Sequence, residues 1–178
     1  MRERTGRRGD AGFSLIELLI VVAIILVIAA IAIPNLLQSR MAATETSTAA
    51  TMRTLYTAMV NYSATYQNGF PASLAVLGPG PGNTTTCDLA GLVDPVLAGG
   101  FKAGYVFTYN PGAPMPAAGV GCASPGVSDF TLNADPGPGG SERGRVGRKS
   151  FFLDATGVIR FNLIAPAGPT DSPIPAGS

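Results

Sequence analysis

Residues 12–34 read GFSLIELLIVVAIILVIAAIAIP, and the rest of the chain can be interpreted outward from them. Phe13 to Ile33 is a run of 21 residues in which no polar side chain follows Glu17. At about 1.5 Å of rise per residue, an α-helix over this run is about 32 Å long, which matches the hydrocarbon thickness of a bilayer. The sequence therefore predicts a membrane-spanning helix.

One acid, Glu17, interrupts this apolar run near its start. A carboxylate placed in lipid costs about 2.5–3.5 kcal/mol, even on the scale derived from insertion experiments. A cation within reach offsets that cost, because opposite charges attract strongly where the dielectric constant is low. The position of Glu17 therefore predicts a compensating partner for its side chain.

The order of residues around Glu17 resembles that of the type IV pilin and pseudopilin family. A short arginine-rich leader ends at Gly12, the sequence Phe13-Ser14-Leu15-Ile16-Glu17 follows, and the apolar run continues to Pro34 and Asn35. The resemblance covers about the first quarter of the chain. It is specific because it places a glycine, an aromatic residue and a lone acid at set spacings before a spanning helix.

This resemblance implies how the N-terminus is processed and used. Residues 1–12 would be a basic leader that a prepilin peptidase removes between Gly12 and Phe13, and the same enzyme would methylate the new N-terminus of Phe13. In assembled members of the family the acid at this position is thought to pair with the α-amine of a neighbouring subunit, which implies an assembly role for Glu17. Two alternatives stay open, because an acid near a helix end also reaches the amine of its own chain or the membrane interface.

Charge placement favours a cytoplasmic leader. Four arginines lie within residues 2–8, so the positive-inside rule places the part after Pro34 on the exported side. The predicted protein is a single-pass inner-membrane protein with a periplasmic head, surrounded by lipid before assembly and part of an extracellular or periplasmic filament afterwards. An ordinary secretory signal is the alternative, with Ala30-Ile31-Ala32 as its cleavage site.

The helix is predicted to resume after Pro34 as an amphipathic half over residues 35–68. Pro34 lacks a backbone N–H and clashes with the preceding turn, so a kink is expected there. From residue 41 to residue 66 the sequence contains no glycine or proline. A stripe of large side chains recurs at spacings of three and four, and its members are Met52, Leu55, Met59, Tyr62 and Tyr66. Such a stripe predicts a helix face that packs against a partner surface.

Residues 69–164 are predicted to form a globular head with little helix. Of the 23 glycines and 15 prolines in the chain, 20 and 14 follow Gln67, and these residues disfavour regular helix. Residues 70–100 are interpreted as loop, with a short helical turn between Leu89 and Leu97. Residues 165–178, rich in proline, glycine and alanine, are predicted to be a flexible tail.

Strand composition appears in the second half of the head. The runs with β-branched and aromatic residues are Tyr105–Tyr109, Phe130–Leu132, Ser150–Leu153 and Val158–Phe161. The turn residues of Asp154–Gly157 predict a hairpin between the last two runs. Three or four antiparallel strands would cover the stripe on the helix. The predicted fold class is α+β, with a long N-terminal helix packed on a small antiparallel sheet, as in pilin-like heads.

Cys87 and Cys122 are the two cysteines of the chain. If the head lies in an oxidising space, a disulfide between them is expected. A metal centre is not expected, because the chain has no histidine and offers only these two cysteine sulfurs. Asp129, Asp135 and Asp154 are conceivable calcium ligands, since the pseudopilins that this chain resembles often bind calcium, but three scattered aspartates do not define a site.

The charge balance gives little reason to expect nucleic-acid binding. The net charge of +1 becomes −1 when residues 1–12 are left out. A basic segment from Glu142 to Lys149 is the one candidate surface for DNA, although charges in a glycine-rich loop are more often simply solvated.

The sequence therefore predicts a structural protein that polymerises through its N-terminal helix. Its expected partners are identical or homologous pilin subunits, the prepilin peptidase and membrane lipid, and no cofactor is indicated. A type II secretion pseudopilin and a minor pilin with DNA-binding or adhesive contacts are the alternatives. An enzyme is not favoured, because the chain has no histidine for acid–base chemistry and no nucleophile beside a base.

Overall fold

The computed structural model of the chain describes residues 13–119 and 121–175. Its first element is a single α-helix, α1, which runs from Leu15 to Tyr66 and includes Pro34. The chain divides after Ser39 into two units, an N-terminal one and a head that begins at Arg40. The predicted continuation of the helix beyond Pro34 is confirmed, and the predicted kink stays a prediction.

Within the head, α1 buries one face. The buried residues of this face are Glu45, Thr48, Ala49, Thr51, Met52, Leu55, Ala58, Met59 and Tyr62. They recur at the three- and four-residue spacing of one helix face. The predicted stripe is confirmed, since four of its members are buried and Tyr66 lies partly buried against the same core.

In the described part of the chain, six antiparallel strands follow the helix and form one sheet. They are β1 (Phe101–Lys102), β2 (Tyr105–Pro111), β3 (Phe130–Pro136), β4 (Ser150–Asp154), β5 (Arg160–Asn162) and β6 (Ser172–Pro173). Each strand pairs with the next one in the chain, so the sheet is a simple meander. The α+β fold class is confirmed. The two strands beyond the predicted number, β1 and β6, are each two residues long, too short to show an alternating pattern.

One face of the sheet packs against α1. Leu132 pairs with Leu153 across β3 and β4, and both side chains are fully buried. They belong to one hydrophobic core with Met52, Leu55 and Met59 of the helix. The sheet therefore supplies the partner surface that the helix stripe requires.

Two predicted elements differ in extent from the observed ones. The hairpin turn after β4 is longer than predicted, since β5 begins only at Arg160. Within this turn Gly157 adopts a positive φ of 79°. The helical turn expected between Leu89 and Leu97 is confined to α2, Pro95–Ala98. Asp94 caps this turn by accepting the Leu97 N–H at 2.9 Å, which fixes its start.

The described part of the predicted tail is held against the sheet. Residues 172–173 form β6, and the buried Ala167 accepts a hydrogen bond at 2.7 Å from the Asn133 side chain of β3. The Asp171 carboxylate accepts the Asn162 amide at 3.0 Å. These side-chain contacts order a segment whose composition predicts flexibility.

Candidate functional site: an apolar helix with one acid

Glu17 lies in the first turn of α1, where a backbone N–H group just before the helix donates a hydrogen bond to its side chain. The Glu17 Oε2 atom accepts the Ser14 N–H at 2.9 Å, and the Ser14 carbonyl accepts the Leu18 N–H at 3.3 Å. The N-terminal end of a helix also carries a partial positive charge that favours a carboxylate. The spacing of Ser14 and Glu17 is that of a capping box, a signal for this contact that is present in the sequence.

The other predicted roles at this end of the helix stay predictions. Phe13, the expected mature N-terminal residue, is 90% exposed. Gly12 and the rest of the leader lie outside the described residues, so cleavage and methylation are not visible in the structure. Pairing of Glu17 with an α-amine, whether of the same chain or of a neighbour, is likewise a prediction.

Phe13 and the N-terminal half of α1 present apolar side chains in every direction. The large ones with 46–90% exposure are Phe13, Leu15, Ile16, Leu18, Leu19, Ile20, Val21, Val22, Ile24, Ile25, Leu26, Val27, Ile28, Ile31, Ile33, Leu36 and Leu37. Burying one such side chain contributes about 1.5–3 kcal/mol, so the whole surface strongly disfavours water. Among the described residues, α1 is the one helix that is long and apolar enough to cross a membrane.

Comparison with known protein families bears directly on this segment. Residues 7–33 match the family model described as the prokaryotic N-terminal methylation motif. The chain carries this methylation motif. The match supports the resemblance to type IV pilins and pseudopilins, and together with the apolar helix it supports membrane anchoring. No curated protein and no solved structure was found to match the chain.

The methylation motif leads into a head that carries the predicted disulfide. Cys87 and Cys122 are bonded, with their Cα atoms 5.0 Å apart. The Tyr62 hydroxyl of α1 lies 3.1 Å from the Cys87 sulfur in the buried core. Burial raises the pKa of this tyrosine, although the Asn68 side-chain hydrogen bond acts in the opposite direction. The disulfide therefore joins the loop around Cys122 to the helix surface.

Asn68 holds the same loop, a role that the sequence did not predict. Its side chain is 2% exposed, and its Oδ1 atom accepts the N–H groups of Gly119 and Gly126 at 2.8 and 3.0 Å. Its Nδ2 atom donates to the Ser124 carbonyl at 3.1 Å. There is no room for a side chain at Gly126, because a Cβ atom there would lie 1.9 Å from the backbone carbonyl oxygen of Asn68. The only local signal at this position is the pair Asn68-Gly69, which is typical of a helix end.

Glu45 ties the basic segment of residues 142–149 to α1. The Glu45 Oε1 atom accepts the backbone N–H of Arg148 at 2.7 Å, and its Oε2 atom lies 3.4 Å from the Lys149 ammonium. Arg143 turns inward and donates to the Ser150 hydroxyl at 2.6 Å. Arg145 pairs with Glu142 at 2.7 Å. Much of the candidate DNA surface is therefore engaged within the protein.

The three aspartates considered as calcium ligands are not brought together. Asp129 precedes β3 and Asp135 lies near the other end of this strand, about 20 Å away for an extended chain. The Asp154 carboxylate instead accepts the N–H of Thr156 at 2.9 Å. Within the described residues, no group of three or more His, Cys, Asp and Glu side chains is placed to hold a metal ion.

Proposed function

We propose that this chain is a structural subunit of a type IV pilus-like filament, which polymerises through residues 13–34 after leader cleavage and N-methylation. The observation that carries the proposal is the methylation motif placed directly before a helix that is apolar on every side. A soluble head needs no such surface. A membrane anchor and a bundle of identical helices both do.

The same apolar surface serves both states of the proposed subunit. In the membrane, lipid tails surround the helix. In the filament, neighbouring helices replace the lipid, and this exchange costs little because lipid tails and leucine side chains are similarly apolar. Glu17 is the exception, since its carboxylate then requires the α-amine created by cleavage before Phe13.

The proposal concerns the polymer and not a catalytic or nucleic-acid-binding role. By family resemblance the methylation motif is a feature of structural subunits, which argues against a catalytic role. Internal contacts hold Arg143, Arg145 and Lys149, so the basic segment has few free cations for phosphate groups, which argues against a nucleic-acid-binding role.

The proposal is tested by producing the full chain together with a prepilin peptidase and examining cells by electron microscopy. Filaments are expected with the peptidase and not without it. Gly12→Val should prevent them, because a branched side chain blocks close approach of the protease to the backbone. Gly9→Val, in the same leader, is the matched control and should assemble normally. Cleaved, stably inserted protein that forms no filaments would contradict the proposal.

The position of the filaments separates the two family alternatives. Filaments on the cell surface identify a pilus subunit, and short filaments confined to the periplasm identify a pseudopilin. Immunogold labelling of the head in intact and permeabilised cells makes this distinction.

A further inference from the structure

A short loop after β5 exposes two large aliphatic side chains to solvent. Leu163 is 52% exposed and Ile164 is 90% exposed, more than any other large apolar side chain in the described part of the head. Ala165 and Pro166 follow them and are exposed as well. We call residues 163–166 the apolar tip. Single exposed aliphatic residues are common on protein surfaces, so the case for a contact depends on how the tip is held and on what surrounds it.

Hydrogen bonds fix the shape of the apolar tip. The Asn162 Oδ1 atom accepts the N–H groups of Ile164 and Ala165 at 2.9 and 3.1 Å. The Asn162 side-chain amide donates to the Asp171 carboxylate at 3.0 Å, and the other oxygen of this carboxylate accepts the Gly168 N–H at 2.8 Å. A loop that is ordered in advance loses little conformational entropy on binding. The tip is therefore built to present its aliphatic side chains to a partner.

The apolar tip lies beside the basic segment of residues 142–149. The Arg143 Nη1 atom donates to the carbonyl groups of Arg148 at 2.5 Å and of Asn162 at 3.4 Å. Asn162 directly precedes the tip. One guanidinium group therefore holds the start of the tip next to the basic segment.

The charged side chains joined to the tip by these contacts carry a net positive charge. They are four cations and two carboxylates, namely Arg143, Arg148, Lys149, Arg160, Glu45 and Asp171, with a sum of +2. The ion pair of Arg145 with Glu142 in the same segment adds no net charge. Arg148 is exposed, whereas the other three cations are half-buried. Cations next to apolar side chains favour a surface that is both anionic and apolar.

This surface of the head lies where α1 enters it. Glu45 is the first buried residue of α1, and its carboxylate accepts the Arg148 N–H at 2.7 Å. The head begins at Arg40, six residues after Pro34. Even a fully extended chain of this length spans only about 21 Å. Because Pro34 ends the predicted membrane-spanning segment, chain connectivity keeps this end of the head within reach of the lipid surface.

We propose that the apolar tip docks the head on the surface of the bilayer that holds its own N-terminal helix. Leu163 and Ile164 enter the headgroup region of anionic phospholipids, and Arg148 lies beside their phosphate groups. A nucleic acid offers phosphate groups but no apolar layer for Ile164. The helix tethers the head to the bilayer and so raises the effective concentration of lipid, which makes even a weak contact sufficient. The contact rests on the membrane anchoring in the proposed function and not on filament formation.

The test uses tryptophan, which the chain lacks. The full chain with Ile164→Trp is reconstituted in vesicles of equal parts phosphatidylglycerol and phosphatidylcholine whose acyl chains carry bromine, a contact quencher of indole fluorescence. Val96→Trp is the matched control, because Val96 is 63% exposed and lies on α2, which contacts β1 at the opposite edge of the sheet. Quenching at position 164 should exceed that at position 96 at least about twofold, since an indole at the membrane interface reaches the acyl chains.

The role of charge is tested with the same reporter. Arg148→Glu combined with Ile164→Trp should lower the quenching to about the level of Val96→Trp, because an anion then faces the lipid phosphates. Raising the salt from about 0.1 M to about 1 M shortens the Debye length from about 10 Å to about 3 Å and should also lower it. Vesicles of phosphatidylcholine alone should give weaker quenching. Lys102→Glu reverses an exposed cation of β1 and should leave the quenching unchanged.

Two results would overturn the docking. One is equal quenching at positions 164 and 96, and the other is quenching that neither Arg148→Glu nor salt reduces. If the first result is accompanied by loss of filaments in a variant with Leu163→Ser and Ile164→Ser, the tip contacts a protein and not lipid. Formation of the Cys87–Cys122 disulfide in each variant confirms that the head is folded.

Failure of this docking and failure of the proposed function can be told apart. The vesicle measurements require an inserted chain but no filaments. Unquenched tryptophan at position 164 together with wild-type filaments in cells would overturn the docking alone. Strong, salt-sensitive quenching at position 164 together with an absence of filaments would support the docking and overturn the proposed function.

Discussion

At the scale of single residues, Glu17 has one partner in the chain and requires another after processing. Its carboxylate accepts the Ser14 N–H, a hydrogen bond that any side-chain oxygen at this position can make. Cleavage before Phe13 adds a charged α-amine four residues away. Only a carboxylate can neutralise that charge. Substitution of Glu17 can therefore separate its hydrogen bond to the Ser14 N–H from its pairing with an α-amine.

Glu17→Gln separates the cap from the charge. Glutamine retains the oxygen that accepts the Ser14 N–H, since it replaces glutamate in capping boxes. Glu17→Ala removes this contact as well, at a cost of about 0.5–2 kcal/mol in helix stability. Because assembly needs the charge, both variants should be cleaved and inserted but form few filaments, as counted by electron microscopy. Normal filament numbers in Glu17→Gln would show that the acid serves only as a cap.

The Asn68 side chain makes hydrogen bonds to three residues of the loop around Cys122, namely Gly119, Ser124 and Gly126. Asn68→Ala leaves the N–H groups of Gly119 and Gly126 without their acceptor. An unsatisfied buried donor costs about 1–3 kcal/mol, so we expect the free energy of unfolding of the head to fall by about 2–4 kcal/mol. Urea denaturation of the detergent-solubilised chain, followed by near-UV circular dichroism, measures this change. Asn61→Ala, at an exposed position of α1, is the control and should change stability by less than about 0.5 kcal/mol. Equal effects of the two substitutions would contradict the role given to Asn68.

At the scale of elements, the helix stripe and four of the strands follow from the sequence. Met52, Leu55 and Met59 repeat at helical spacing because one helix face must be buried. The alternation at the start of β2 and β3 reflects one face of the sheet against that helix. The spacing of apolar residues within each element is enough to predict it, because each element buries one of its own faces.

The elements that the sequence did not predict depend on distant partners. The strand β6 has two residues and is recognisable only by its pairing with β5. Asn68 contacts backbone groups more than 50 positions away, and Glu45 contacts a segment more than 100 positions away. Local periodicity carries no information about such contacts. The capping-box spacing of Ser14 and Glu17, by contrast, is a local signal.

The disulfide and the Asn68 side chain both hold the loop around Cys122. The effect of removing the disulfide can be measured. Replacing Cys87 and Cys122 by serine releases a closed loop spanning a sequence separation of 35 residues. On the chain-entropy model this lowers the free energy of unfolding by about 3–4 kcal/mol. The loop should stay partly ordered in this variant, because the Asn68 hydrogen bonds remain. Complete loss of hydrogen-exchange protection at Gly126 would contradict this division of roles.

At the scale of the whole molecule, the chain joins an apolar helix to a head with its own hydrophobic core. The head's stability rests partly on two tyrosines, one buried and one partly buried, whose hydroxyl groups donate to backbone carbonyls. Tyr105 donates to Lys149, and Tyr109 donates to Pro71. Burial raises the pKa of both side chains well above the ordinary value of about 10, and the Glu45 and Asp129 carboxylates add to this effect at Tyr105 and Tyr109 respectively.

These pKa shifts predict how stability depends on pH. The unfolded chain loses its tyrosine protons as the pH rises past about 10, whereas the folded head retains them. The stabilisation is therefore complete below pH 10 and is lost progressively as the pH rises above it. Urea denaturation between pH 8 and pH 11 should show this decline, with a weaker decline in Tyr105→Phe and Tyr109→Phe. Tyr66→Phe is the control and should retain the full decline. A decline of equal slope in all variants would contradict the assignment.

The central claim is that residues 13–33 are retained in the mature protein as its anchor and assembly helix. Mass spectrometry of the mature N-terminus, on protein recovered from cells that contain the prepilin peptidase, tests it most directly. The predicted result is a chain that begins with N-methylated Phe13. A chain that begins at Ile33, after cleavage as an ordinary secretory signal, would contradict it.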